Sequence, residues 1–297
     1  MYKSALKKSL RYLLRIKRSL LPNFHFASLP AFGGFFQSIL SILKCNFIEN
    51  VQDSKMYLDE HDTLNLSLNR IYEPFETIYF QKHVKDGQVV LDIGAHIGYY
   101  TLLLAKNVGR NGQVFAFEPE PKNFALLSKN VEINGYTNVI LSNKAVLDTT
   151  SQRHLFLSAE NMGDHRIFDA PDGKEAVEVD SIRLDDYFAD FNKKIDFIKM
   201  DIQGAEYYAV QGMASLLLRN PSVVLVTEFE PIGLLRSGVE PEAYLKLLME
   251  MGFTIYHIDE NEQRIQNADF QELLRNYSPE NGLHTNLVCS RARGVVN

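Results

Sequence analysis

From Gln88 onward, short apolar runs alternate with stretches in which apolar residues recur every three or four positions. The runs Gln88 to Ile93, Gln113 to Phe117, Val139 to Asn143, Asp196 to Met200 and Val223 to Glu228 read as strands, and two more, Thr254 to Ile258 and Thr285 to Cys289, follow. Between them the longer period predicts helices over 99–108, 121–134, 205–219 and 241–251, with Gly109 and Gly135 as stop signals. Nearly uninterrupted apolar strands joined by amphipathic helices predict an α/β fold, a mainly parallel seven-stranded sheet with helices on both faces. In such a sheet ligands bind beyond the carboxyl ends of the strands, so strand ends are where chemistry is to be sought.

The segment ahead of this alternation has a different character. Between Tyr2 and Leu21 six leucines fall on one side of a helical wheel and Lys7, Lys8, Arg11, Arg15 and Arg18 on the other, which predicts an N-terminal helical extension. Residues 1–48 hold eight basic residues and no acid, leaving 23 of the 31 basic residues against all 37 acidic ones. Three readings of the extension stay open: it lies on an anionic membrane surface, it is an organelle leader, or it packs on its own domain. An antiparallel prelude (Lys55 to Leu58, then Thr63 to Leu66) and a helix over 74–83 come next. The expected organisation is a basic extension over 1–50, a lead-in segment over 51–87 and the main domain over 88–297.

With 297 residues, 45% of them hydrophobic, the chain can bury a full core. Two distant cysteines, Cys45 and Cys289, make no disulfide framework and have no metal-ligand spacing, which points to a reducing, cytoplasmic setting, with peripheral membrane contact left to the extension. The acidic main domain argues against nucleic acid as its substrate, since phosphate needs a basic face.

The chemistry concentrates after the first strand. Val89 to Gly98 runs from a strand into a turn and a helix, Gly94 allowing a tight turn and Gly98 letting the helix pack near the strand, with Ala95 and His96 between them. A nicotinamide cofactor would require three glycines in the G-x-G-x-x-G spacing, but position 96 is His and a carboxylate, Asp92, precedes the loop. That anion would repel a diphosphate and suits S-adenosylmethionine, which carries ammonium and sulfonium charges. Glu118, 20 residues beyond Gly98 and followed by Pro119, stands at the next strand end, where an acid can take both ribose hydroxyls. Asn143, ending the third strand, is a candidate for the adenine side.

These residues resemble the FkbM-type methyltransferases of the class I, Rossmann-like group. The likeness is carried by Asp92-Ile-Gly-Ala-His-Ile-Gly-Tyr-Tyr-Thr101, by Phe117-Glu-Pro119, by Asn143-Lys-Ala-Val146 and by Asp196-Phe-Ile-Lys-Met-Asp-Ile-Gln-Gly-Ala-Glu206, with Thr285 to Arg291 adding to it. It covers about Tyr72 to Arg291. The resemblance implies O-methylation with S-adenosylmethionine as donor, of hydroxyls on sugars, glycolipids or other secondary metabolites. Gln203 departs from the pattern, which often has Glu there, and this lowers the negative charge expected in the site.

Methyl transfer from a sulfonium is an in-line substitution, so a protein aligns donor and acceptor and removes the proton of a weakly acidic hydroxyl. Asp201 at the fourth strand end, Glu206 in the next helical turn and Glu228 ending the fifth strand are candidates to bind the acceptor or take its proton, against the plainer roles of turn-holding and helix capping. His165, in the irregular stretch between third and fourth strands, is a candidate base. No metal centre is expected, because Asp201 and Glu228 lack an identifiable third oxygen ligand. Two other functions stay open: an NAD-dependent oxidoreductase or epimerase, and a non-catalytic cofactor-binding scaffold.

Overall fold

The computed structural model describes residues 48–158, 165–168, 175–260 and 262–292, so the extension and Cys45 lie outside the described residues. The chain divides into two compact units, residues 1–72 and 73–297. In the first, β1 (Ile48–Val51) and β2 (Ser54–Tyr57) form an antiparallel hairpin, turning through Gln52 and Asp53 in left-handed conformation. Helix α1 (Leu66–Asn69) follows. The strand expected over Thr63 to Leu66 does not form, because Asp59 and Asp62 accept backbone amides four and five residues ahead and curl the chain into turns.

The second unit opens with α2 (Pro74–His83) and then alternates as the pattern predicts: β3 (Val89–Ile93), α3 (Tyr99–Val108), β4 (Gln113–Phe117), α4 (Pro121–Ile133) and β5 (Val139–Ser142). The irregular stretch holds a small sheet of its own, β6 (Ala145–Val146), β7 (Gln152–Phe156) and β8 (Ala176–Ile182), before α5 (Leu184–Tyr187). Then come β9 (Phe197–Met200), α6 (Glu206–Gly212), α7 (Ala214–Arg219), β10 (Val224–Phe229), α8 (Pro231–Arg236) and α9 (Pro241–Glu250). The one helix expected over 205–219 is thus two, and Gly212 sits at the break against the backbone of Leu147, where no side chain would fit. The unit ends with β11 (Thr254–Asp259), β12 (Arg264–Asn267), α10 (Phe270–Asn276) and β13 (Thr285–Ser290).

The central sheet runs β12-β11-β13-β10-β9-β3-β4-β5, eight strands among the described residues, one more than the pattern predicts. The addition, β12, is a short polar edge strand, Arg-Ile-Gln-Asn, without an apolar signal. Strands β10, β9, β3, β4 and β5 are parallel, and β13 enters antiparallel between β10 and β11. Chain order reverses between β3 and β9, which makes the carboxyl ends of these two strands the switch point.

Alternation along the strands sends Leu91, Ile93, Ile198, Met200, Leu225 and Phe229 into one large core. The other face packs under α2 and α3, through Phe80 against Phe197 and Tyr100. Cys289 is buried in the first core, where burial pushes its thiol far above the usual range. Among the described residues no helix is long and apolar enough to cross a membrane.

Candidate active site

The switch point is built by close backbone packing. Gly94 has φ +81°, and a Cβ there would lie 1.8 Å from the carbonyl oxygen of Asp201, so only glycine lets the first loop pass the end of β9. The amides of Gly94 and Ala95 both donate to the carbonyl of Phe117, and that of Asp201 donates to Ile93, which ties three strand ends together. Gly98 precedes α3, its Cα facing Leu127 of α4.

Glu118 is buried beside this loop. One oxygen accepts the amide of His96 at 2.8 Å and the other that of Glu120 at 2.9 Å, and burial lifts its carboxyl to about 7. Each oxygen keeps lone-pair capacity for a further donor. Asn143 is exposed and donates to the carbonyls of Glu118 and Pro119, at 2.7 and 3.0 Å, so it staples the turn that presents Glu118. His96 itself holds a left-handed φ of 51°.

Asp92 lies deeper than the loop. It is fully buried, one oxygen bound by the Thr101 hydroxyl at 2.5 Å, and its other oxygen has no partner among the described residues. Its cross-strand neighbour is Lys199 on β9. Lys199 is the one buried lysine among the described residues, on the face under α2 and α3, 3.5 Å from Asp201 and above the Tyr100 ring. Burial opposes its charge, but Asp201, Asp92, Glu76 and Glu73 outweigh burial and lift its pKa.

Beyond β9, Gln203 bridges two carboxylates, its Nε2 donating to Asp201 at 2.8 Å and to Glu228 at 3.1 Å. Burial works against ionised Asp201, yet Lys199 and hydrogen bonds from Gln203 and Glu228 hold its carboxyl below the ordinary range. Glu228 goes the opposite way: burial, reinforced by Asp201 and neighbouring glutamates, raises it well above. The two carboxyls are thus pushed in opposite directions, Asp201 toward the ionised form and Glu228 toward the protonated one.

Glu206 is fully buried with both oxygens engaged, by the amides of Ile202 and Gly204 at 2.9 Å each. It shapes the loop that carries Gln203, where Gly204 passes 2.5 Å from the backbone of Gly233 as measured from its would-be Cβ. His165 accepts the Ser158 amide on Nδ1 at 3.0 Å. Its neighbour Arg166 forms a buried ion pair with Glu230, 2.9 Å, and Phe168 stacks on Tyr208, so this segment is fastened beside the end of β10.

The structure therefore gathers Gly94, Ala95, His96, Glu118, Pro119 and Asn143 at one end of the edge, and Asp201 and Glu228 at the other. Sequence reasoning missed Lys199, Glu73 and Tyr100. A lysine inside Phe-Ile-Lys-Met, an apolar strand buried on both sides, was the available signal for the first. Among the described residues no group of three or more His, Cys, Asp or Glu is arranged to hold a metal ion.

An α/β sheet with this strand order and an acid-flanked glycine loop at its switch point defines a Rossmann-like nucleoside-binding protein. The Methyltransferase FkbM domain matches residues 92–267, and the chain belongs to the FkbM family of S-adenosylmethionine-dependent methyltransferases. A profile for protein-L-isoaspartate(D-aspartate) O-methyltransferases also matches residues 36–145. The chain is 26% identical to Methyltransferase sdnD of Sordaria araneosa over 200 residues, 56% of this chain and 73% of that protein. It is 22% identical to Methyltransferase 1 of Beauveria bassiana over 150 residues, 43% of this chain but only 59% of that protein. A solved FkbM methyltransferase from Methylobacillus flagellatus superposes with a TM-score of 0.41 at 14% identity, over 77% of this chain and 53% of that one.

The residues present fit S-adenosylmethionine. Glu118 offers both oxygens at the strand end next to the loop, and Asp92 places a carboxyl beneath it, a donor set matched to a diol and a cation and opposed to a diphosphate.

Proposed function

We propose that this protein transfers the methyl group of S-adenosylmethionine to a hydroxyl of a sugar, glycolipid or secondary metabolite, with no nucleic acid as acceptor. The bound cofactor supplies an electrophilic methyl on a sulfonium. Glu118 takes the ribose hydroxyls, the amides and side chains of the loop from Gly94 to Gly98 frame the methionine end, and Asn143 and Pro119 keep Glu118 presented toward the adenosine. Asp92 acts from below, tying the first turn of α3 to β3 through Thr101 and adding negative potential under a cationic ligand.

The observation that carries the hydroxyl reading is the Gln203 bridge. Gln203 donates to Asp201 and Glu228 together, so the edge sets side by side a carboxyl pushed toward the ionised form and one pushed toward the protonated form, at the strand ends where an acceptor would lie. An ionised carboxylate accepts a hydroxyl hydrogen bond, and a protonated one donates to a neighbouring oxygen, which suits a polyhydroxylated acceptor. Glu206 is assigned a positioning role, since its oxygens serve the loop. His165 and the segment clasped by Arg166 and Glu230 are assigned to the acceptor side. Peripheral membrane contact is assigned to the basic extension on its charge alone, and 88–297 is assigned as the methyltransferase domain, preceded by the lead-in 51–87.

Calorimetry with S-adenosylmethionine and with NADH tests the cofactor, and transfer of a labelled methyl to hexoses, hexosamines and their octyl glycosides tests the acceptor class. Tight binding of NADH alone would overturn the cofactor assignment. Methylation of an RNA pool, with no sugar modified, would overturn the acceptor class.

A further inference from the structure

The segment just ahead of the first strand brings a third acidic side chain to this edge. Glu73 precedes Pro74 at the start of α2, in the position from which a side chain usually caps a helix. It makes no cap. The amides of Phe75 and Glu76 are taken instead by Glu260, following β11, at 3.2 and 2.9 Å. Freed of that task, the Glu73 carboxylate turns to the sheet, accepting the Tyr100 hydroxyl at 2.8 Å and the Asn286 amide at 3.3 Å. Asn286 on β13 is the cross-strand partner of Glu228, so Glu73 reaches the row that holds Asp201 and Glu228.

Glu73 is also strained. Its φ of 38° and ψ of 74° lie in the left-handed region, a conformation that costs a non-glycine residue about 1–3 kcal/mol and persists where surroundings enforce it. His96 and Gln203, one on each side of the switch point, share that feature. Three strained non-glycine residues thus border a single edge.

Resting on the hydroxyl reading above, we propose that Glu73 is the general base, the catalytic residue that takes the acceptor's proton, while Asp201 and Glu228 hold the acceptor. The division follows from the three environments. Asp201, 3.5 Å from the Lys199 ammonium and bonded by Gln203, is held toward the weakly basic ionised form; Glu228, buried among carboxylates and bonded by the same Gln203 amide, is pushed toward the protonated form. Glu73 is only half-buried, and burial with Asp201 lifts it to about 7, against the opposing effects of Tyr100 and Lys199. Glu260 and Glu76 complete the charged groups around it. A base that titrates near the working pH is both largely ionised and strong enough to accept a proton. In the transfer, the acceptor's O–H bond breaks as its oxygen bonds the methyl carbon, the carbon–sulfur pair returns to sulfur as a neutral thioether, and the proton ends on the Glu73 carboxylate.

The test uses the full chain, methyl-labelled S-adenosylmethionine and the sugar and octyl-glycoside panel. Glu73→Gln keeps the shape and an acceptor for Asn286. Its methyl-transfer rate should fall at least about 100-fold, the low end of general-base effects, with cofactor affinity unchanged within about twofold. The wild-type rate should rise with pH through a limb near 7 that the variant lacks, the variant recovering only where hydroxide replaces the carboxylate. A loss below about threefold, or an acidic limb still in place in Glu73→Gln, overturns the base. A wild-type protein that binds the cofactor and methylates no hydroxyl compound at any pH overturns the hydroxyl reading first. A weakened cofactor affinity in Glu73→Gln marks Glu73 as structural and also overturns the proposal.

Discussion

Replacing Lys199 by Met removes the only ammonium that the described residues place among Asp92, Asp201, Glu73 and Glu76. Met matches the length of the apolar stem, so the change tests the charge more than the volume. Lys199 is 5% exposed and stands 3.5 Å from Asp201, whose side chain is 28% exposed, so solvent shields the pair only weakly. Removing one partner of a buried pair strands the other and costs about 3–5 kcal/mol. For a domain of this size each kcal/mol moves the melting temperature by about 2–4 °C, so a drop on the order of 6–20 °C is expected at pH 7. The sign with pH follows from Asp201: Lys199 holds its carboxyl below the ordinary value, so this contribution is present above that value and is lost as pH falls. The deficit of Lys199→Met should therefore be full at neutral pH and disappear only as pH falls below the ordinary Asp value of 3.8, where wild-type Asp201 itself takes up a proton. Adding Asp201→Asn to Lys199→Met should recover part of the loss at pH 7. Calorimetric melts across pH decide it; a drop under about 2 °C, or a double variant no more stable than the single one, would refute the account of the hub.

Three further outcomes follow from the same geometry. Gly94→Ala sets a Cβ against the Asp201 carbonyl, backbone on backbone, and should destabilise by about 2 kcal/mol or more while abolishing cofactor binding, as read by thermal melts and calorimetry. Glu118→Gln removes the charge from the proposed ribose contact and should weaken S-adenosylmethionine about 10- to 100-fold with the fold intact; unchanged affinity in calorimetry would defeat that assignment. Glu206→Ala leaves the amides of Ile202 and Gly204 without their acceptor, at about 1–3 kcal/mol each, and should lower the melting temperature and methyl transfer while cofactor affinity stays within a few-fold.

What the sequence made legible was whatever one local period could encode. The parallel strands β3, β4, β9 and β10 are buried on both faces and therefore read as apolar runs, and Gly109 and Gly135 marked the helix ends beside them. The first strand of the prelude forms as β2, but the second, Thr63 to Leu66, failed because Asp59 and Asp62 compete for the backbone through side-chain bonds that displace strand pairing. Strand β12 failed for the opposite reason: at the sheet edge it needs only one covered face, and Arg-Ile-Gln-Asn has too little apolar content to announce it. On the site, Gly94, Glu118 and Asp201 were visible because a strand end next to a glycine turn is a local signal. Glu73 was not, because the role proposed for it depends on Glu260, 187 positions away, relieving it of the cap.

Lys199, one of the residues that were missed, owes its place to a partner on another strand. Asp92 and Lys199 are cross-strand partners, and Asp201 lies two residues past Lys199 on the same face, so one sheet face carries three charges in adjacent positions under α2 and α3. A charge in an apolar strand is costly alone and tolerable only with its partners. The sequence displays Asp92 and Lys199 far apart, each looking like an isolated exception to an apolar run; only the register of β3 against β9 makes them a pair. Lys199 draws Asp201 toward the ionised form, Asp201 in turn pushes Glu228 across the Gln203 bridge toward the protonated form, and Glu73 beside them is lifted to about 7. On the proposed reading the division of labour at the acceptor edge is set by a charge beneath it, and Lys199→Met should disturb the pH profile of methyl transfer as well as the melt.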